Sequence, residues 1–167
     1  MEGILNKFLE SYEYLKKVYE YYFLVLTYPT TIEEQYFRLF KALEYYLYWK
    51  YKKGRFEDKF ENLLNELDFL KEYLFPFDTN VKKLAINLND TRNYIAHPQS
   101  KPKGFYTPED LIKVTQKLLG ILEMVLLQEL SIEKDSLKNI LKNNIRRYIK
   151  DSKELEYFYK ELFHEKK

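Results

Sequence analysis

The chain has 167 residues, 46% of them apolar, with only four glycines, and its charges nearly balance to a formal +2. That length suits one compact domain whose folding buries roughly two-thirds or more of the unfolded surface, and the low glycine content favours long regular stretches over disorder. The absence of cysteine excludes a disulfide framework, a thiolate nucleophile and a thiolate metal site, two histidines leave no structural zinc site, and +2 is too small to argue by itself for nucleic acid.

Leu5, Phe8, Tyr12, Leu15, Tyr19, Tyr22 and Leu26 alternate spacings of three and four, which lays one apolar stripe along a first helix. Pro29 stops it. Thr30 or Thr31, with an acid three residues on, reads as the capping box of a second helix carrying Tyr36, Phe40, Leu43 and Leu47 and ended by Gly54. A third helix from about Glu57 carries Phe60, Leu63, Leu67, Leu70 and Leu74 up to Pro76. A fourth opens near Asp78 or Thr79, runs through Val81, Leu84, Leu88 and Ile95, and closes before Pro98.

Residues 99–106 form the one sizeable loop, and Thr107-Pro108-Glu109-Asp110 starts a fifth helix, whose apolar residues from Leu111 to Leu126 cover more than one face and place it in the middle of the bundle. Ser131 is positioned to cap a helix with Leu137, Ile140, Leu141, Ile145 and Tyr148, and Ser152 a last one with Leu155, Phe158, Tyr159 and Leu162. No strand pattern, repeat or linker is visible. The expected architecture is all-α: a single domain over 1–167, with four to five core helices over about 4–130 and appended helices over about 131–165. No run approaches the ~18 apolar residues of a membrane span and no secretory leader is apparent, so a soluble cytoplasmic protein is expected.

One segment breaks the pattern of its own helix. Arg92 stands four residues after Leu88 and three before Ile95, on the apolar stripe where a leucine would serve. A guanidinium there is expensive unless it is paired or functional. Asn93 and His97, four apart, share a neighbouring face, with His97 at the helix end where the dipole favours its protonated form. Two readings stand side by side. Arg92 pairs with a carboxylate such as Glu44 to lock two helices, or Arg92, Asn93 and His97 act together on a ligand.

Arg92-Asn93-Tyr94-Ile95-Ala96-His97 resembles the Arg-x(4–6)-His motif of HEPN domains, including the asparagine after the arginine and a small residue before the histidine. Phe37-Arg38-Leu39-Phe40-Lys41-Ala42-Leu43-Glu44 is similar to a helix of the ApeA-like anti-phage HEPN type, and Leu126-Leu127-Gln128-Glu129-Leu130 to the helix ending that follows the motif there. The resemblance runs in order over residues 31–141. HEPN toxins paired with minimal nucleotidyltransferases usually carry a tyrosine two residues after the histidine, and here that residue is Gln99, which argues against that subfamily.

The resemblance implies a HEPN-like helical bundle and a metal-independent, cofactor-free RNA endonuclease in a defence or toxin setting. Its RNA substrate would supply the 2′-hydroxyl nucleophile and leave 2′,3′-cyclic phosphate and 5′-hydroxyl ends. His97 would move protons, as imidazole does near neutral pH, Arg92 would stabilise charge at phosphorus, and Asn93 would orient the imidazole or a phosphate oxygen. Glu44 would tether Arg92 or tune His97, and Lys101 and Lys103, just beyond the motif, would guide the RNA backbone or simply sit in solvent. The family's habit of pairing two motifs across a two-fold cleft implies a homodimer with a composite site. ApeA-like proteins usually join the HEPN domain to a separate N-terminal region, whereas this chain is little more than the domain, so two expectations stand: control by a regulatory partner protein, or a chain that is a fragment of a larger protein. The alternative is a non-catalytic module of the same fold that binds RNA, a nucleotide or a protein.

Seventeen tyrosines and twelve phenylalanines suit a helical core before they suit base stacking, and the cluster Tyr45, Tyr46, Tyr48, Trp49 and Tyr51 is expected mainly in core or interface packing. Arg146, Arg147 and Lys150 read as a solvated basic face, and His164 as inert.

Overall fold

Pro29 separates the first two helices of the computed structural model, which describes residues 2–98, 103–105 and 107–162. α1 (Glu2–Thr27) and α2 (Ile32–Tyr51) pack together as a helical hairpin. The threonine cap forms as expected, Thr31 accepting the Glu34 N–H at 3.3 Å and satisfying one of the donors a helix start leaves orphaned. α2 stops three residues before Gly54, because Lys52 takes a left-handed turn (φ 53°) and closes its N–H on the Tyr48 carbonyl. The apolar stripe of α1 is used only in its middle. Leu15, Val18 and Tyr19 are buried, whereas Leu5 is 58% exposed and Leu26 46%, and the helix is kinked at Leu15 (φ −105°, ψ 17°).

The single third helix expected from the spacing is two helices, α3 (Phe56–Glu66) and α4 (Asp68–Leu74), broken at Leu67 (φ −113°, ψ 65°). Leu67 itself stays buried, so the apolar periodicity runs through a break that lets Phe69, Leu70, Tyr73 and Leu74 turn into the core and α4 reach the central helix. α5 (Val81–Ala96) is capped by Asn80, which accepts the Lys83 N–H at 2.9 Å, rather than by Asp78 or Thr79. α6 (Pro108–Glu129) begins as expected, Thr107 accepting the Asp110 N–H at 3.2 Å with Pro108 in the first turn. It packs against α1, α2 and α4 and is buried on several faces, so its near-continuous apolar sequence reflects a central position.

The segment after α6 also differs from a single Ser131-capped helix. Ser131 adopts φ 63° in a turn, α7 (Lys134–Asn143) starts after Glu133, and α8 (Ile145–Tyr148) follows a break at Asn144. α9 (Ser152–Tyr157) is capped by Asp151 rather than Ser152, and a π-helical turn (Phe158–Leu162) continues it. Asp151 accepts the N–H groups of Lys153 and Glu154, and the Glu154 N–H together with Lys113 holds its carboxyl below the ordinary range. α2 and α6 thus form the centre of an all-α bundle, flanked by α1 and the packed pair α3–α5, with α7 and α8 laid on α6. Among the described residues there is no strand.

Glu123 of α6 fastens the C-terminal part to this bundle. Its side chain, only 10% exposed, accepts the Tyr22 hydroxyl at 3.0 Å and the Tyr148 hydroxyl, and pairs with Arg147 at 2.8 Å. One turn earlier, Gly120 lets the Tyr148 ring lie against the helix, for a Cβ there would stand 3.0 Å from the ring carbon Cγ. The basic stretch is therefore not merely solvated: Arg147 is in this cluster, and Arg146 donates to the Tyr159 hydroxyl at 3.0 Å. Burial, reinforced by Glu123, raises the phenols of Tyr22 and Tyr148, and burial with Glu129 raises that of Tyr46. These groups hold their protons more tightly folded than unfolded. Their contribution to stability is complete below the ordinary phenol value of about 10 and is lost as pH rises from there towards the raised values. An absorbance titration is expected to show these three ionising only as the protein unfolds; complete ionisation near pH 10 with the fold intact would contradict the network.

Candidate active site

Tyr36, Phe40 and Glu44 lie four residues apart on α2 and so share one face, opposite the last two turns of α5. The buried Tyr36 hydroxyl donates to the Leu88 carbonyl at 2.6 Å, pinning α5 one turn before Arg92. Burial raises the Tyr36 phenol, which keeps it a donor. The Arg92 guanidinium then lies over the Phe40 ring, 5.5 Å from its centroid. Its Nη2 donates to Glu44 Oε1 at 2.9 Å and its Nη1 to Asn93 Oδ1 at 2.8 Å, while its buried Nε has no hydrogen-bond partner.

Glu44 sits between two cations, since Lys41 pairs with its other carboxylate oxygen. The three charges leave one net positive charge in a partly covered position, where Arg92 is 23% and Glu44 31% exposed. Such a fixed, forked cation suits a phosphoryl group. The aromatic floor continues beyond the site, with Phe56 of α3 4.7 Å from Phe40 between ring centroids.

The structure brings Arg92, Asn93 and Glu44 together and realises the ion pair between α2 and α5. Asn93 directs its side-chain oxygen to Arg92, and its backbone carbonyl accepts the His97 N–H at 2.9 Å. His97 is the C-cap of α5 and is exposed, about 7.5 Å beyond Arg92 along the helix axis at the usual rise per residue. Lys103 is exposed in the following loop, and Lys101, like Gln99 and His164, lies outside the described residues.

Two further features border the site. Gly104 (φ 68°) brings the loop back against α5, where the Phe105 N–H donates to Thr91 Oγ1 at 2.5 Å and Thr91 Oγ1 donates to the Asn87 carbonyl at 2.8 Å. A Cβ on Gly104 would stand 2.2 Å from Thr91 Oγ1 and 2.3 Å from the Asn87 carbonyl oxygen, so neither its torsion nor its surroundings admit a side chain. Strain of this kind costs about 1–3 kcal/mol, and Gly104→Ala is expected to lower the melting temperature by about 2–12 °C. Lys103→Ala is the control, expected to leave it unchanged; equal melting of both variants would dismiss the latch. The second feature is Lys59, 6% exposed on α3, which stands three residues after Phe56 and beside Phe60. A cation on an apolar stripe is the same anomaly that marks Arg92.

Of the aromatic cluster, Tyr46 is fully buried and bonded to Glu129, Tyr51 is bonded to Glu66, and Trp49 and Tyr45 stack on Tyr14 and Tyr21 of α1. Tyr48 alone of the five points largely to solvent, at 66% exposed. Among the described residues no group of three or more histidine, aspartate or glutamate side chains is arranged to hold a metal ion, and no helix is long and apolar enough to cross a membrane.

An all-α helical bundle of this kind is the class of structure to which HEPN nuclease-type domains belong. The family model described as Apea-like HEPN matches residues 7–136, from the first turns of α1 into α7, and the chain belongs to that family. No curated protein and no solved structure matches it.

Proposed function

We propose that the chain is an endoribonuclease that cleaves RNA by attack of the 2′-hydroxyl on the adjacent phosphorus, with Arg92 and His97 as its catalytic residues and Asn93 and Glu44 as their support. The observation that carries this reading is the fixation of Arg92: the Phe40 face, Glu44 and Asn93 hold the guanidinium at the end of a helix whose next turn presents His97 to solvent. In the reaction the 2′-oxygen gives its proton to an imidazole, the new P–O2′ bond forms, the P–O5′ bond breaks, and the departing 5′-oxygen takes a proton. Arg92 neutralises the charge that builds on the phosphoryl oxygens. No metal ion or cofactor enters the scheme.

One imidazole must receive a proton and another donor must supply one, so two motifs facing each other satisfy both tasks. A homodimer with a composite site follows as part of the proposal, with Lys103 at the mouth of the cleft. Sizing in solution tests it, and an enzyme active as a strict monomer would overturn it. Purified protein incubated with RNA, with and without EDTA, tests the activity: cleavage that survives EDTA and leaves 2′,3′-cyclic phosphate ends supports the reading.

The Arg92–Glu44 ion pair favours a second reading, in which Arg92 is a strut in a domain that binds RNA, a nucleotide or a protein without cutting. Binding without cleavage supports that alternative.

A further inference from the structure

We infer that the pocket beside Glu44 is a guanine-binding site. It is a cavity of about 340 Å³ between α2 and α3, lined by Glu44, Tyr45, Leu47, Tyr48, Phe56 and Lys59. The position ties it to the candidate active site, because Glu44 is the carboxylate that holds Arg92 and Phe56 packs at a tilt against the Phe40 ring that carries the guanidinium. Its volume lies in the range of small-ligand sites, and its apolar walls, Leu47, Phe56 and the exposed Tyr48 ring, fit a flat heterocycle.

The polar groups select among heterocycles. The Lys59 ammonium lies 4.6 Å from the Tyr48 ring centroid and, among the described residues, forms no ion pair, so a buried donor is available to an acceptor on the ligand. Glu44 already takes Arg92 on Oε1 and Lys41 on Oε2, and each carboxylate oxygen has a second lone pair. One acceptor position is left on each of its two oxygens. Guanine carries two adjacent donors, N1–H and the 2-amino group, next to the O6 acceptor. Adenine and cytosine each offer one amino group on that edge, and uracil a single N–H. A carboxylate under two neighbouring N–H groups with an ammonium on O6 therefore favours guanine, as lysine does when it reads that base in nucleic acid.

Two sources carry this base: a guanosine of the RNA beside the scissile phosphate, which rests on the ribonuclease reading, or a free guanine nucleotide, which does not. Calorimetric titration of the full chain with GMP, IMP, AMP, CMP and UMP tests the pocket without any cleavage. GMP is expected to bind at least about tenfold more tightly than AMP, CMP and UMP, and IMP, without the 2-amino group, several-fold more weakly than GMP. Tyr48→Ala and Lys59→Met are each expected to weaken GMP about tenfold, the scale of one stacked base or one lost charged hydrogen bond. Tyr48 is exposed, so its variant keeps the fold. Equal affinity for the four nucleotides, or GMP binding untouched in the Tyr48 variant, would overturn the inference.

Mapping cut sites in mixed-sequence RNA separates the sources. Cuts enriched beside guanosine, inhibited competitively by GMP and redistributed in Lys59→Met, assign the pocket to the substrate. Selective GMP binding without RNA cleavage removes the ribonuclease reading and keeps the pocket as a nucleotide site, whereas cleavage with no preference for guanine in binding or cutting does the reverse.

Discussion

His97→Ala is expected to lower the rate of RNA cleavage by about 10²- to 10⁴-fold, the contribution typical of a general acid–base group, with little change in melting temperature. His97 is exposed at the C-cap, and alanine there retains the backbone N–H bond to the Asn93 carbonyl. Surface substitutions of this kind stay within about 0.5 kcal/mol. Arg92→Ala is expected to cost a comparable factor in rate, about 10²- to 10³-fold for a lost donor at the developing charge. It also breaks the bond to Glu44. Because both side chains are partly exposed and Glu44 keeps Lys41, the stability cost is about 1 kcal/mol. Run side by side, the two variants separate catalysis from bracing: an Arg92→Ala protein that melts early while His97→Ala cleaves normally would identify Arg92 as a strut.

Phe40→Ala is expected to produce the largest loss of stability near the site, about 3–5 kcal/mol, or roughly 6–20 °C in melting temperature for a chain of this size. Phe40 is fully buried on α2, packs at a tilt against Phe56 of α3 and carries the Arg92 guanidinium of α5 on its face, so its removal empties the junction of three helices. Phe40→Leu separates its two roles. It keeps most of the volume, at under about 1.5 kcal/mol by the measure of size-conserving swaps, but removes the π face beneath the cation. Cleavage by the leucine variant is expected to fall more than its stability does. Thermal unfolding followed by circular dichroism, beside the RNA assay below the melting transition, measures both. A leucine variant with full activity would show that the ring supplies packing alone.

The sequence by itself determined which stretches are helical and where most of them begin. Thr31 and Thr107 are capping residues with an acid three positions on, and local chemistry of that kind acts before any tertiary contact forms. It also exposed Arg92, because a guanidinium breaking a run of leucine-type positions is visible in one dimension, and it offered Glu44 as one partner for it. Tertiary structure alone decided the breaks at Leu67 and Asn144, since buried residues on both sides keep the apolar spacing intact through each turn. Tertiary structure also decided that Asn80 and Asp151 cap their helices in place of neighbours with equal propensity.

The site divides in the same way. Arg92, Asn93 and His97 are close in sequence because one helix end carries them, so the motif was legible at once. The Phe40 face, the Tyr36 hydroxyl and the Thr91–Gly104 latch come from pairing α5 with α2 and with its own returning loop, and periodicity carries no information about which faces meet. Lys59 shows the boundary most clearly. Its place on an apolar stripe could be read from the chain, but only the packing of α3 beside α2 sets its ammonium in the same pocket as Glu44, because long-range contact is what turns an odd residue into part of a site.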